Sequence, residues 1–304
     1  MDYKKIIKNQ ETRFKILHLL RFVPDSLMIM TQYRIKLGRK LNLINPQRYS
    51  EKLQWYKLNY RNPLMTQCAD KYGVREYIKS KGLRHILNEL YVVYDNVEEI
   101  NLDQLPDKFV MKTTNGSGTN ILCKDKTTIC LEDIKKSLDH WINRDYFASG
   151  REWAYKDVVP RIIVEEYLED EKNPFEGIND YKFICFNGEA KYIVLDVDRQ
   201  VNHKRNIYDI NWNFINVNTD HPNFGDCVPK PEGLNEMLRV VNVFAEDFPC
   251  VRVDLYWVNE KVYFGELTFY PWTGYIKFDP DEFDYIVGEQ FNLPKKIIDN
   301  KNLN

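Results

Sequence analysis

Val251-Arg252-Val253-Asp254-Leu255-Tyr256-Trp257-Val258 and Lys261-Val262-Tyr263-Phe264-Gly265-Glu266-Leu267-Thr268-Phe269 read as the two strands of a hairpin. Alternation sends Val251, Val253 and Leu255 to one face and Arg252, Asp254 and Tyr256 to the other. Glu266 joins Asp254 on the charged face if a three-residue loop at 258–260 connects the strands. A two-residue turn at Asn259-Glu260 sends it to the opposite face unless a bulge at Gly265 resets the strand. Two carboxylates converging without His or Cys suit a hard, oxygen-seeking ion such as Mg²⁺. The alternative is a salt-bridge ladder with Arg252.

Three upstream clusters bear on the same question. In Lys108-Phe109-Val110-Met111-Lys112-Thr113-Thr114-Asn115-Gly116-Ser117-Gly118-Thr119-Asn120, two strands flank Asn-Gly-Ser-Gly, residues that tolerate positive φ. Such a tip bares backbone N–H groups to an anion, with Lys112 beside it, or is simply an exposed hairpin. Ile162-Ile163-Val164-Glu165-Glu166-Tyr167-Leu168 is an apolar strand running into paired acids, which are either solvated or placed to hold a purine against backbone groups. Asp180-Tyr181-Lys182-Phe183-Ile184-Cys185-Phe186 puts Asp180, Lys182 and Ile184 on one face. A buried Lys182 needs a counter-charge, which an anionic ligand would supply; an edge-strand lysine facing water would not. In this order the clusters are a phosphate hairpin, an acidic hinge, a cationic strand and a carboxylate hairpin.

Around them the chain divides into a basic helical arm (1–45), a mainly helical region (46–105), a strand-rich unit (106–294) and a loosely held tail (295–304). Expected strands are Lys108–Thr113, Thr119–Lys124, Arg161–Leu168, Tyr181–Phe186, Lys191–Val197, Val251–Val258 and Lys261–Phe269. A helix capped by Thr66 is expected to run to about Ser80.

The 304 residues, 43% apolar and 29% charged, exclude disordered, collagenous and coiled-coil classes. No apolar run reaches the roughly 18 residues of a membrane span. Six cysteines without metal spacing suit reduced thiols and a cytoplasmic setting. Residues 1–60 hold thirteen Lys/Arg against four acids, a net +9, whereas the remainder carries −11. The arm therefore folds on the acidic body, lies on an anionic membrane surface, or meets a polyanionic substrate. No nucleic-acid motif accompanies the charge.

The ordered set resembles the ATP-grasp superfamily, and more closely its teichuronopeptide-biosynthesis-like branch, often labelled polysaccharide biosynthesis or glycosyltransferase. Further matching segments are Tyr49-Ser50-Glu51-Lys52-Leu53-Gln54-Trp55, Asp70-Lys71-Tyr72-Gly73-Val74-Arg75-Glu76-Tyr77, Leu105-Pro106-Asp107-Lys108 and Phe264-Gly265-Glu266-Leu267-Thr268-Phe269-Tyr270-Pro271. The resemblance implies an α/β (α+β) ATP-grasp fold, two β-rich lobes clamping ATP, with a helical N-terminal extension. It implies Lys71 and Lys112 as phosphate-binding lysines, with Gly116, Ser117 and Gly118 closing over the phosphates. Glu165, Glu166, Tyr167 and Leu168 would be the adenine hinge and Asp180 the ribose partner. Lys182 and Arg199 would neutralise the γ-phosphate and the incoming carboxylate, and Asp254 and Glu266 would hold Mg²⁺. Thr268 stands where many members carry Asn and is left out of the metal set.

The function this implies is an ATP-dependent carboxylate–amine ligase acting through an acyl phosphate, with Arg252 stabilising the tetrahedral oxyanion. The resemblance further implies that an amino acid or small amine is joined to a uronic acid glycan, lipid-linked acceptors included, in capsule or cell-wall polysaccharide assembly. The second reading is a glycosyltransferase using a nucleotide sugar, against which stands the lack of a DxD motif outside Asp196-Val197-Asp198. A third is a carbohydrate-binding module built on the twenty Tyr, sixteen Phe and six Trp.

Overall fold

The structure, a computed structural model, describes residues 9–171, 178–197, 203–225 and 228–297. Two antiparallel sheets dominate it. The first has four strands in the order β1 (Leu90–Tyr94), β4 (Ile162–Glu166), β2 (Phe109–Thr113) and β3 (Asn120–Cys123). The second has six, in the order β10 (Lys261–Thr268), β9 (Cys250–Val258), β5 (Asp180–Phe186), β6 (Glu189–Val197), β7 (Lys204–Asp209) and β8 (Phe214–Ile215).

Each sheet has its own core. Phe109, Met111, Ile162 and Val164 pack against Ile134 and Leu138 of the helix Leu131–Ile142. Phe183, Leu195, Val253 and Leu255 pack with Met237, Val241 and Phe244 of the helix Leu234–Ala245. The inward alternation on β5 and β9 leaves their other face free for charge. That partition positions the site.

Three local expectations change. The run Leu90–Tyr94, inside the segment read as mainly helical, is strand β1, and β7 and β8 were not expected as strands at all. The helix expected from Thr66 to Ser80 is two helices, Pro63–Ala69 and Gly73–Ser80. Asn62, not Thr66, caps the first, accepting from Leu64 N at 3.0 Å with Pro63 at its start. The first helix ends where Asp70 turns extended (φ −76°, ψ 118°), and the break carries Lys71 out of both helices. The strand Arg161–Leu168 shortens to Ile162–Glu166.

The arm forms helices Gln10–Leu19 and Asp25–Leu37, interrupted at Val23-Pro24 and stopped by Gly38 at φ 76°. Its basic side chains meet acids of the body: Arg21 and the His18 ring reach Asp145 (3.1 and 3.2 Å), and Arg39 reaches Asp281 (2.7 Å). Buried Arg151 donates to the carbonyls of Leu20 (2.7 Å) and Arg21 (3.3 Å), fixing the turn between the arm helices. At the other end, Ile297 N donates to Asn59 O and Ile297 O accepts from Arg61 N, both at 2.8 Å. No helix among the described residues is long and apolar enough to cross a membrane.

Candidate active site

The β9–β10 connection is the two-residue turn, with Asn259 and Glu260 both left-handed (φ 49° and 62°) and Val258 paired to Lys261. Such a turn alone would leave Glu266 on the wrong face. A bulge between Phe264 and Glu266 restores it, and Glu266 stands directly across from Asp254. Gly265 is the residue that lets the bulge form, because a Cβ there would lie 2.9 Å from the Asp254 carbonyl oxygen.

Arg252 ties the two acids together. Its Nε donates to Asp254 Oδ1 (2.7 Å), and its Nη2 donates both to Asp254 Oδ2 (2.7 Å) and to Glu266 Oε1 (2.8 Å). Its Nη1 makes no hydrogen bond among the described residues. Burial pushes the Asp254 carboxyl up, but Arg252 and Lys182 more than offset this and hold it below its ordinary value. The Thr268 hydroxyl adds a bond to Glu266 Oε1 at 3.2 Å.

Lys182 is buried in the sheet and has carboxylate partners of the chain itself. Its Nζ donates to Asp180 and, at 3.2 Å, to Asp254 Oδ2, with Asp196 Oδ2 3.8 Å away. Lys182 and Asp254 are direct ladder partners, as are Asp180 and Asp196. Asp196 extends the chain of charges to Arg205, whose Nε donates to it at 2.6 Å. Burial raises the Asp196 carboxyl, Arg205 overrides that, and it settles at about 2. One face of five strands thus carries an alternating charge network from Glu266 to Arg205.

The four-stranded sheet answers it from across a cleft lined by Lys71, Arg75, Lys112, Glu165, Tyr155 and Glu266 among others. Lys112 of β2 donates to Glu165 Oε2 (2.8 Å), and Arg75 of the helix Gly73–Ser80 donates to Glu165 Oε1 (2.7 Å). Burial raises the Glu165 carboxyl, and Lys112 and Arg75 together bring it below its ordinary value. Lys71 Nζ donates to the carbonyls of Thr113 (3.2 Å) and Gly116, so it sits inside the 114–119 loop and faces its carbonyls. Gly116 is buried under Tyr146, whose ring a Cβ would strike, while Ser117 and Gly118 are exposed at the tip. Burial lowers Lys71 to about 8, with Glu266 across the cleft pulling it upward and Lys112 pushing it down.

Glu166, Tyr167 and Leu168 leave β4 at the cleft edge, half-buried. Glu166 is tied to Glu89 by two bonds, one of them from Glu89 N at 3.2 Å. The chain then crosses to the second sheet, where Glu171 N donates to Asn259 Oδ1 (3.1 Å) and Asn259 Nδ2 donates to Glu169 O (3.1 Å). Arg199 lies outside the described residues. The cleft therefore gathers Lys71, Lys112 and Glu165 with Glu266, and through Arg252 with Asp254, Lys182 and Asp180.

The donor set fits Mg²⁺. Two carboxylates that bond one and the same nitrogen converge, both offer hard oxygen, and Mg²⁺ asks for one or two such groups beside water and phosphate. Among the described residues no group of three or more His, Cys, Asp or Glu forms a dedicated metal cage. Arg75, Asp196 and Arg205 were not among the expected site residues. The signal for Arg75 was present in Asp70-Lys71-Tyr72-Gly73-Val74-Arg75, one helical turn from Lys71.

A family model described as "TupA-like ATPgrasp" matches residues 51–292. The chain belongs to the TupA-like ATP-grasp family. Among solved structures this family member is similar to a D-alanine–D-alanine ligase from Bacillus anthracis complexed with ATP (13% identity, 66% of this chain and 53% of that one, TM-score 0.38). It is also similar to the ATP-grasp ligase PsnB complexed with minimal precursor (10%, 73% and 59%, 0.39). A D-alanine–D-alanine ligase from Helicobacter pylori is a third (14%, 81% and 70%, 0.39). The chain spans between half and three fifths of the length of the first two. No curated protein matches its sequence.

Proposed function

We propose that this TupA-like ATP-grasp protein is an ATP-dependent carboxylate–amine ligase that works through an acyl phosphate. The supporting observation is the cleft itself, which sets Lys71 and Lys112 of one lobe against the Arg252-linked Asp254 and Glu266 of the other. Lys71, Lys112, Gly116, Ser117 and Gly118 hold the triphosphate; Glu165 to Leu168 and Asp180 hold the nucleoside. Asp254 and Glu266 hold Mg²⁺, which when bound supplies positive charge to the phosphate oxygens.

The carboxylate attacks the γ-phosphorus, the bond to ADP breaks, and an acyl phosphate remains. Anion meets anion in that step, so cations must be in place beforehand, and Lys182 and Arg199 are assigned to it. An amine then attacks the acyl carbon, phosphate leaves, and the amide forms with release of a proton. Arg252 Nη1, which makes no hydrogen bond among the described residues, is assigned to the oxyanion of that second step.

Within this reading the carboxylate belongs to a uronic acid glycan, in cell-surface polysaccharide assembly at the cytoplasmic side. The arm supports a membrane-proximal or lipid-linked acceptor through Leu19 and Phe22, 72% and 83% exposed, beside Lys15. The test is Mg·ATP with a panel of amino acids and uronic acid glycans, scored by phosphate release and product mass. ADP, phosphate and an amide are expected. A nucleoside diphosphate released from a sugar donor, with no ATP consumed, makes the protein a glycosyltransferase instead.

Lys71 gives the cleft a pH dependence. Its protonated form binds phosphate, and with a pKa of about 8 that form is lost as pH rises from 7 to 9. ATP affinity should fall across this window, approaching about tenfold per pH unit at the upper end. Lys71→Arg should flatten the profile, because guanidinium stays charged throughout. Titration of ATP binding against pH in both proteins checks this; parallel profiles would remove Lys71 from phosphate binding.

A further inference from the structure

Both arm helices carry apolar side chains on the side that the body does not cover. In Gln10–Leu19, Phe14 and His18 stand one turn apart and face the body: the Phe14 ring lies edge-on to Tyr146, centroids 6.2 Å apart, and the His18 ring reaches Asp145. Helical periodicity puts Thr12, Ile16 and Leu19 on the opposite side, and Phe22 follows in the turn beyond. In Asp25–Leu37 the buried positions are Met28, Ile29, Gln32 and Tyr33, with Gln32 Nε2 donating to Ser149 O (3.1 Å) and the Tyr33 and Ser50 hydroxyls bonded at 2.8 Å. Leu27, Met30, Arg34 and Ile35 recur at i, i+3, i+7 and i+8 on the outward face, where the three apolar members are 55%, 41% and 44% exposed. A surface helix ordinarily turns polar residues outward. These two do not.

The polar residues among them are of one sign. Between Glu11 and Glu51 the sequence holds eight Lys/Arg and a single acid, Asp25. Asp25 is already engaged, 3.6 Å from Arg151 and 3.7 Å from Arg61. Arg21, Arg39 and Arg48 are spent on acids of the body. Lys15, Arg34 and Lys40 are exposed and have no ion-pair partner among the described residues. The outward side of the arm therefore combines bare apolar groups with uncompensated positive charge.

We propose that this outward side of the arm docks on an anionic lipid bilayer, with Leu19, Phe22, Leu27 and Met30 entering the headgroup–acyl boundary and Lys15 and Arg34 meeting lipid phosphates. The proposal rests on the membrane-proximal part of the functional reading, names the surface that makes the contact, and is independent of the ligase chemistry. Charge decides the occupant. Two copies of this chain meeting through the same face would bring Lys15 and Arg34 toward their own counterparts around a two-fold axis, like charge against like. An anionic bilayer accepts both halves of the pattern at once, apolar area below and cations at the phosphate level. The arm is held ready for such contact, because Arg151 fixes its turn and Gln32 and Tyr33 fix its second helix to the body.

Co-sedimentation of the full chain with vesicles of phosphatidylcholine alone, and of phosphatidylcholine mixed with phosphatidylglycerol, tests the surface without requiring turnover. The mixed vesicles should bind at least about tenfold tighter, and their advantage should shrink as salt rises. Leu19→Ser with Phe22→Ser should weaken binding by at least about tenfold. Lys15→Gln with Arg34→Gln should do so by about tenfold or more and remove the preference for phosphatidylglycerol. Leu122→Ser, at an exposed position of β3, should leave binding unchanged. All these side chains are exposed, so each variant should melt close to the parent protein. Binding to neither vesicle, equal binding to both, or equal weakening by Leu122→Ser would overturn the proposal. A dimer that is lost in the Leu19→Ser, Phe22→Ser protein, found without vesicle binding, would give the face to a second copy instead. Phosphate release judges the ligase reading separately: vesicle binding without it keeps the surface and discards the ligase, and release by a chain that ignores vesicles does the reverse.

Discussion

Arg252→Lys should lower turnover by about 10²–10³ at saturating Mg²⁺ while ATP affinity stays within a few-fold. An ammonium cannot reproduce the fork that takes both oxygens of Asp254 and one of Glu266 and still leaves Nη1 for a reacting oxyanion. Saturating Mg²⁺ matters, because Arg252 also orients the two carboxylates, and a defect that is only orientational should be recovered by more metal. Arg252→Ala is the harsher variant. It leaves the buried Asp254 with Lys182 alone, and breaking a buried ion pair typically costs about 3–5 kcal/mol, so a lower melting temperature should accompany its lost activity. Equal losses in turnover and ATP binding for Arg252→Lys would contradict a role confined to the second step.

Glu266→Gln should raise the Mg²⁺ concentration needed for half-maximal activity by at least about 10–100-fold and lower the rate that remains. The amide keeps an oxygen for Arg252 Nη2 and for Thr268 Oγ1, so the hairpin retains its bonds. What is lost is one of two negative charges at the point where the carboxylates converge. Activity against Mg²⁺ concentration, measured beside the melting temperature, separates loss of metal from loss of fold. An unchanged Mg²⁺ dependence would take Glu266 out of the metal site.

Strand alternation made the charged face legible, since Asp254, Arg252, Lys182 and Asp180 depend only on a period of two. The register of Glu266 was not, because Asn259-Glu260 carries no glycine to announce a left-handed turn and Gly265 is ambiguous between bulge and plain strand. Counter-charges were hidden for a related reason. Arg75 and Glu165 meet across ninety positions of sequence, and of the three acids around Lys182 only Asp180 shares its strand, Asp196 and Asp254 being brought in by the strands on either side. Lys182 therefore reads either as awaiting an anionic ligand or as an edge-strand lysine facing water, whereas it sits on an inner strand and the fold already surrounds it with carboxylates. An incoming phosphate must compete with these acids for Lys182 or be drawn by the cations beyond them.

Helical continuity misled at 70–72. The local pattern runs on from Pro63 to Ser80, and the interruption is a tertiary effect, with Lys71 held in the 114–119 loop and its N–H donating to Thr114 O at 3.4 Å. Leu90–Tyr94 failed in the opposite direction. A five-residue apolar run fits a strand or a buried helical turn equally well until pairing with β4 decides it.

The most direct test of the clamp is a crystal structure of the protein with Mg²⁺ and a non-hydrolysable ATP analogue. The account predicts the triphosphate between the 114–119 loop and β10, with Lys71 and Lys112 on its oxygens and one metal ion touching both Asp254 and Glu266. A nucleotide bound away from this cleft, or a metal that contacts neither carboxylate, would contradict it.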